Sequence, residues 1–348
     1  MKTLRLLAVM GLTLVLSSDF VLNGGPYPTS VGFQVSLAEA MAAQESLTAQ
    51  WIDHEGVVGT AVGLDVSGEP VVTVFLTAAG VAALPATFDG VDVRLEISGP
   101  FTAGDWGSTR PADADSEVDP KRSFARPVPI GVSAGHPGVT AGTIGARARS
   151  GGDVLALSNN HVFANGNDAA VGDNLLQPGV VDGGRNPDDV IGTLLDFEPI
   201  QYCALFLCPS NYIDAAVAST TPADLGQDTP DDGYGTPRSS TAEATLGMKV
   251  QKYGRTTGHT MGTVTGINAV IDVGYPAGQA RFADQIIISD GSFSTGGDSG
   301  SLIVTKGMLL GDRRPVALLF AGSNTNTIAN PIDLVLDRFG VTIDGSGM

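Results

Sequence analysis

From about residue 127 onward the chain consists of short apolar runs separated by turn-forming residues. Val, Ile, Thr and Gly dominate this region, and 46 of the 348 residues are glycine. Because β-branched residues favour strands and glycine and proline interrupt them, such a pattern predicts an all-β barrel or sandwich over residues 127–346. Residues 222–245, rich in Asp, Pro, Gly, Ser and Thr, are typical of a connection between two sets of strands.

Three segments in this region carry His161, Asp214 and Ser299, in that order. They are Asn159-Asn160-His161-Val162, Tyr212-Ile213-Asp214-Ala215-Ala216-Val217 and Gly296-Gly297-Asp298-Ser299-Gly300-Ser301. A serine hydroxyl becomes a good nucleophile when a histidine accepts its proton, and a buried carboxylate fixes the tautomer of that histidine. Taken singly, the three residues have ordinary explanations as a strand histidine, a turn cap and a hairpin loop. Their order and their setting together indicate nucleophilic catalysis.

These segments resemble the catalytic segments of chymotrypsin-type serine proteases. A fourth stretch, Lys252 to Gly258 followed by Gly262-Thr263-Val264, resembles the Gly-x-Thr-Thr-Gly segment of the bacterial streptogrisin and α-lytic branch. The resemblance implies a mainly β chymotrypsin-like fold of two six-stranded barrels. It places His161 and Asp214 on the first barrel and Ser299 on the second, so that the triad closes between them.

The resemblance also implies a role for each site residue. Ser299 would attack the substrate carbonyl, His161 would move the proton and Asp214 would orient the imidazole. The backbone amides of Gly297 and Ser299 would form the oxyanion hole.

In that bacterial branch a basic side chain pairs with the aspartate that precedes the nucleophile. The corresponding residues here are Lys252 and Asp298. In animal enzymes of the family the freed N-terminal ammonium takes this place. The alternative for Lys252 is an ordinary exposed lysine.

Two features depart from the streptogrisin and α-lytic branch. Its members usually have disulfides beside the histidine and the serine, whereas the only cysteines here are Cys203 and Cys208. In an oxidising compartment these two would close a small loop shortly before Asp214. The segment Asn-Asn-His-Val resembles more closely the corresponding segment of the Do-like periplasmic proteases. Too few residues follow Ser299, however, for the PDZ domain of that group.

The resemblance bounds the substrate preference. The residue six before the nucleophile lies at the base of the primary specificity pocket, which is Phe293 here, and Gly322 would form an open pocket wall. With no acid at the base, we expect cleavage after small or medium apolar residues. An insertion within residues 291–295 would instead bring Asp290 towards the pocket.

Two helices are predicted outside the strands. Ser36 and Glu39 form a capping-box pattern for a helix that runs to about Asp53. Near the end of the chain, Asn330-Pro331 and the spaced apolar residues up to Phe339 predict a helix that stops at Gly340, as the family also has.

The first of these helices and the strand-like runs after it predict a small α+β domain over residues 36–103. Its alternation of Val91, Val93, Leu95 and Ile97 with charged residues indicates a strand. Many secreted bacterial proteases have an N-terminal pro-region, so this domain is either an intramolecular pro-domain or an accessory binding domain that stays attached.

Residues 104–126 form a linker. Alternating acids within it, at positions 113, 115, 117 and 119, lack the pattern of a calcium loop. We expect no metal site and no cofactor.

The first 18 residues have the pattern of a signal peptide, with Lys2 and Arg5 before the apolar stretch Leu6 to Leu16. This stretch is too short to span a bilayer as a helix, and its cleavage or retention as an anchor stays open. We expect a secreted or periplasmic protein. The net charge of −18 argues against binding nucleic acid or anionic membranes.

The sequence therefore predicts an exported serine endopeptidase whose partners are proteins or peptides. The alternative is a catalytically silent protease fold that serves as a binding module, with its cleft covered by residues 36–103 or without a competent oxyanion hole.

Overall fold

The computed structural model describes residues 35–80, 84–104, 118–205, 207–289, 291–307 and 312–347. The predicted signal peptide, residues 105–117 of the linker and Asp290 lie outside the described residues. Within the described part, no helix has the length and apolar character needed to cross a membrane.

The first β unit follows the linker and is a six-stranded sheet in the order β10, β11, β13, β9, β8, β20. The last of these strands comes from the C-terminus, so the end of the chain returns to this unit. The elements are β6 Ser133–Ala134, β7 Gly142–Thr143, β8 Ala146–Ser150, β9 Asp153–Ser158, α2 Asn160–Phe163, β10 Asn174–Leu176, β11 Val190–Phe197, β13 Ala216–Thr220 and β20 Thr342–Ile343. Between β11 and β13 the chain also forms the short strand β12 Ser210–Asn211, which pairs with Arg281 and Phe282 of the second unit.

The second β unit is a closed barrel. Its strands pair in the cyclic order β14, β15, β16, β19, β18, β17 and back to β14. Each strand of this ring therefore has a neighbour on both sides over part of its length. The elements are β14 Lys249–Gly254, β15 Gly258–Tyr275, β16 Gly278–Ser289, β17 Leu302–Thr305, β18 Pro315–Gly322, β19 Asn326–Pro331 and α3 Ile332–Phe339.

The N-terminal segment extends the sheet of this barrel. Strand β1 pairs with the long strand β15, with Gly59 opposite Ile271, and β2 and β4 follow on its other side. A buried polar group fastens helix α1 to both strands, since Gln44 donates to Thr60 Oγ1 at 2.7 Å and accepts from Asn268 at 3.0 Å. The elements are α1 Leu37–Trp51, β1 Val57–Leu64, β2 Pro70–Leu76, β3 Thr87–Phe88, β4 Val91–Ile97 and β5 Phe101–Thr102.

Strand β5 lies between two strands of the second barrel. It pairs in parallel with the end of β15, where Thr102 faces Gly274, and antiparallel with the end of β18, where Thr102 faces Gly322. Phe101 is buried in the same apolar cluster as Phe320. This two-residue strand therefore connects the N-terminal segment to β15 and β18 of the second barrel.

The predicted mainly β architecture, two β units preceded by a small α+β segment, is confirmed. The N-terminal helix has its capping box, formed by Ser36 and Glu39, and the closing helix ends at Gly340 in the left-handed conformation. Residues 222–245, all of which are described, form neither helix nor strand.

The domain boundaries stay a prediction. The contacts of the chain group all residues from Val35 onward in one unit. The N-terminal segment belongs to this unit because β1 pairs with β15 of the barrel, so that its strands do not form a separate sheet.

The apolar face predicted for β4 is only partly buried. Val91 is buried beneath α1, but Leu95 and Ile97 are 47% and 54% exposed. Because β4 lies next to the outer edge of the sheet and α1 covers only its beginning, the later apolar residues face solvent.

Gly59 provides a test of how closely β1 must approach β15. A Cβ at this position would lie 2.4 Å from Ile271 Cδ1 and 2.9 Å from the carbonyl oxygen of Val270. We expect Gly59→Ala to lower the free energy of unfolding by about 1–3 kcal/mol through overpacking, as measured by urea denaturation.

Gly152→Ala is the matched control, because an added Cβ there meets nothing within 4 Å. Equal stability of the two variants would contradict a close contact between β1 and β15.

Candidate active site

His161 and Asp214 form a bonded pair at the end of the first β unit. His161 lies in the short helix α2 directly after β9, and its Nδ1 lies 2.5 Å from Asp214 Oδ2. The backbone N–H of His161 donates to the other carboxylate oxygen, Oδ1, at 3.2 Å. Asp214 is fully buried, so the carboxylate is held by both the side chain and the main chain of the same histidine.

Two asparagines fix the main chain of Asp214. Its amide N–H donates to Asn330 Oδ1 at 3.0 Å, and its carbonyl accepts from Asn159 Nδ2 at 2.7 Å. Asn330 in turn donates to Gln285 Oε1 at 2.8 Å. Asn159 belongs to a segment that the sequence singled out. Asn330 comes from β19 in the second barrel, and the sequence marked it only as the start of a helix, with no signal for this contact.

Tyr275 is a further contact of the pair that the sequence analysis missed. It ends strand β15, and its hydroxyl donates to Asp214 Oδ2 at 2.9 Å. Burial, followed by the negative charge of Asp214, raises the pKa of Tyr275 well above its usual value. The phenol therefore stays protonated and remains a donor.

Ser299 lies in a tight turn before β17, and it is packed against the first β unit. Gly297 and Gly300 flank it with φ of +91° and +94°, a conformation that favours glycine. The carbonyl of Ser299 accepts from the amide of Thr143 at 2.8 Å. A Cβ on the neighbouring Gly142 would meet both Val162, next to His161, and the Ser299 carbonyl.

The Ser299 hydroxyl donates to the carbonyl of Phe320 at 3.4 Å. Nε2 of His161 is buried and has no hydrogen-bond partner among the described residues. The structure thus brings His161 and Asp214 together in the predicted way, whereas the hydrogen bond between Ser299 and His161 is not formed in this conformation.

The loop that carries the predicted oxyanion donors is held by the first β unit. Neither the Gly297 nor the Ser299 amide donates to another described residue. The carbonyl of Gly297 accepts from Thr143 Oγ1 at 2.9 Å, and that oxygen accepts from the amide of Arg255 at 3.0 Å. Arg255 pairs with Asp182 through two bonds of 2.6 and 2.7 Å, a contact that the sequence did not reveal.

Lys252 and Asp298 lie together in the interior. Lys252 Nζ is 3.5 Å from Asp298 Oδ2, and both side chains are fully buried. The carboxylate also accepts from the amides of Thr256 at 2.8 Å and Thr295 at 3.1 Å. A buried charge needs a partner and several donors to offset its desolvation, and Asp298 has both. The exposed-lysine alternative does not apply to Lys252.

The two predicted pocket residues have different surroundings. Phe293 is fully buried in an apolar cluster of the second barrel, with its ring 5.8 Å from Lys252 Nζ. Gly322 ends β18 and faces Thr102 of β5. The wall position therefore has a strand of the same chain beside it, where an open entry was expected.

Cys203 and Cys208 form a disulfide, and the amide of Cys203 donates to Gln279 in β16 at 2.7 Å. No group of three or more His, Cys, Asp or Glu side chains that could hold a metal ion occurs in the described residues.

Residues 237–330 match the family model of the Nal1 C-terminal domain. They make up less than half of the chain. A search of the curated proteins found no match.

Among solved structures, the chain is similar to a glutamic-acid-specific serine protease, to protease A of Thermobifida fusca and to a Nocardiopsis protease. For the first, the identity is 21% over 62% of this chain and 100% of the other, with a TM-score of 0.44. For the Thermobifida fusca protease, the identity is 20% over 63% of this chain and 100% of the other, with a TM-score of 0.44. For the Nocardiopsis protease, the identity is 18% over 62% of this chain and 99% of the other, with a TM-score of 0.43.

The buried Lys252–Asp298 pair yields a stability prediction. We expect Lys252→Met to lower the free energy of unfolding by about 3–5 kcal/mol, because it leaves the carboxylate of Asp298 buried without its counter-ion. Urea denaturation at neutral pH measures this.

Lys249→Met is the matched control, since Lys249 is exposed on the same strand and donates to Thr263 Oγ1. A Lys252→Met variant as stable as the control would show that Asp298 does not depend on the ion pair.

Proposed function

We propose that this protein is an exported serine endopeptidase. The observation that carries the proposal is the pairing of His161 Nδ1 with the buried carboxylate of Asp214 at 2.5 Å. When Nδ1–H donates to the carboxylate, the neutral imidazole has its lone pair on Nε2. That nitrogen is buried, and no described residue forms a hydrogen bond with it. It is therefore available as a general base.

The proposed reaction begins when the Ser299 hydroxyl turns from the Phe320 carbonyl towards His161 Nε2. His161 accepts the proton as the Ser299 oxygen attacks the peptide carbonyl, and Asp214 stabilises the imidazolium. The amides of Gly297 and Ser299 would stabilise the oxyanion, and their lack of other acceptors supports this role. His161 then protonates the leaving amine, and water releases the acyl-enzyme by the reverse sequence.

For the substrate we propose small or medium apolar side chains on the acyl side of the cleaved bond. Phe293 offers no charge for an Arg or Lys side chain. Among the described residues that follow Ser289, Asp298 has the carboxylate nearest to Phe293 in sequence. That carboxylate is already paired with Lys252. These observations favour an apolar specificity pocket.

The position of strand β5 supports a regulatory role for the N-terminal segment, as a pro-domain that covers the cleft. In the antiparallel pairing of β5 with β18, Thr102 faces Gly322, and the same register continued would place Gly104 opposite Phe320. The carbonyl of Phe320 is the one that accepts the Ser299 hydroxyl. Residues 102–104 would therefore lie along the end of β18 that contacts the Ser299 hydroxyl, where an extended peptide substrate could otherwise pair.

The same pairing is the observation that favours the alternative, a silent binding module whose cleft stays covered. The two functions differ in whether Ser299 is reactive. Export is proposed from the pattern of the first 18 residues and is compatible with the disulfide, because disulfides persist in oxidising compartments.

Labelling with a fluorophosphonate probe tests the reactivity of Ser299. We expect the wild-type chain to be labelled, and Ser299→Ala and His161→Ala to lose about 10⁴-fold or more of the labelling rate, because each removes part of the nucleophile and base.

His136→Ala is the matched control. The ring of His136 also contacts an aspartate, Asp173, at 3.2 Å, but its other nitrogen accepts from the amide of Gly138 and the ring forms no hydrogen bond with His161, Asp214 or Ser299. This variant should keep full labelling. Absence of labelling in well-folded protein, both in the wild type and in a Phe101→Ala variant whose buried anchor of β5 is removed, would favour the binding module.

A second prediction concerns the cover over the cleft. We expect Phe101→Ala in the full chain to raise the rate of peptide hydrolysis several-fold, because it removes the buried anchor of β5 and frees the edge of β18. Leu95→Ala, at an exposed position of the same segment, should leave the rate unchanged.

Mass spectrometry of the mature protein would complement this measurement. An intact, fully active chain with no gain in Phe101→Ala would contradict an inhibitory pro-domain.

A further inference from the structure

We propose that Tyr275 is a positioning residue of the triad and that its hydroxyl sets the strength and direction of the hydrogen bond between His161 and Asp214. The inference rests on the proposed function for its kinetic consequence. The positioning of the carboxylate itself involves only the side chains of Tyr275, His161 and Asp214. Tyr275 lies 61 positions from Asp214 in sequence, and the resemblance to proteases assigns it no role.

Among the described residues, the carboxylate of Asp214 has three donors, two from His161 and one from Tyr275. Oδ1 accepts the His161 amide at 3.2 Å, while Oδ2 is shared by His161 Nδ1 at 2.5 Å and the Tyr275 hydroxyl at 2.9 Å. A carboxylate held by a single residue is free to turn with that residue. The donor from Tyr275 therefore fixes the plane of the carboxylate independently of His161.

The ring of Tyr275 also packs against the imidazole. The two rings meet edge to face, with 5.9 Å between their centroids. On its other sides Tyr275 contacts Tyr202 at 5.9 Å and Phe282 at 6.1 Å. Because Phe282 is fully buried in the second barrel, the position of the hydroxyl is set by that barrel, and the hydroxyl reaches the aspartate of the first β unit from it.

The electrostatic effect of the hydroxyl has a definite sign. The ionisable side chains that act on this cluster in the described structure are His161, Asp214, Tyr202 and Asp168. The positive end of the Tyr275 O–H dipole points at Oδ2, where it disperses the negative charge of Asp214. Without it, Oδ2 becomes a stronger acceptor for the Nδ1–H of His161, and the imidazolium is favoured.

Tyr275→Phe isolates this effect, because it keeps the ring contacts and removes only the hydroxyl. Tyr202→Phe is the matched control, since the ring of Tyr202 packs edge to face against Tyr275 but its hydroxyl donates to the carbonyl of Gly166 at 3.3 Å. Both are made in the full chain, and thermal unfolding verifies that each is folded.

The first measurement is the proton resonance of the Nδ1–H of His161, which needs no catalytic activity. The chain has four histidines, so His161→Ala identifies the signal. We expect the resonance to move downfield in Tyr275→Phe and to stay at the wild-type position in Tyr202→Phe.

The second measurement is the pH profile of peptide hydrolysis. In Tyr275→Phe we expect the acid limb of kcat/KM to move to higher pH, and the plateau of kcat to fall about tenfold with KM unchanged, because a hydrogen bond to a charged group has been lost. A residue with a merely structural role would lower Tm without moving the acid limb.

An unshifted Nδ1–H resonance in Tyr275→Phe, equal to that of Tyr202→Phe, would overturn the proposal. An unchanged pH profile in an active enzyme would do the same. If the wild type is inactive and unlabelled at Ser299, the proposed function fails, and the resonance still decides the role of Tyr275.

Discussion

The buried carboxylate of Asp214 is the constraint on which the rest of this structure depends. A buried carboxylate needs hydrogen-bond donors, and here they come from both β units: His161 from the first and Tyr275 from the second. The main chain of Asp214 is held from both sides as well, because Asn159 of the first unit donates to its carbonyl and Asn330 of the second accepts from its amide. The two units can therefore pack in only a narrow set of arrangements without leaving a charge or a polar group unpaired.

A second set of buried polar contacts organises the serine loop in a similar way. Asp298 is held by Lys252 and by backbone amides, and Thr143 joins the Gly297 carbonyl to Arg255. Burying each of these polar groups costs desolvation free energy, and the hydrogen bonds that they form fix the geometry of the serine loop. The loop thus has its shape before any substrate is present, as stabilisation of a transition state by fixed donors requires.

The parts of the fold that were predicted are those with a local signal. The capping box of Ser36 and Glu39 and the stop at Gly340 involve neighbours in sequence, and the Asn159 to Val162 segment carries its own pattern of residue types. The contacts of Tyr275 and Asn330 had no such signal, because a single aromatic or amide side chain acquires its role only when distant strands meet. A two-residue strand such as β5 has no periodicity at all, so its pairing partners could not be derived. The exposure of Leu95 and Ile97 likewise depends on how far α1 reaches, which the alternation in β4 does not encode.

The pairing of β1 with β15 has a consequence for how the chain can be processed. The N-terminal strands are hydrogen-bonded into the barrel sheet and fastened by the Gln44 contacts. A cut in the linker would therefore leave two chains that remain one sheet, much as a nicked protein stays assembled. Complete removal would expose the middle of β15 as an unpaired edge, which is a template for adding another strand. Maturation by excision would thus require a new neighbour for β15, whether another segment of the chain, a second copy or a bound peptide.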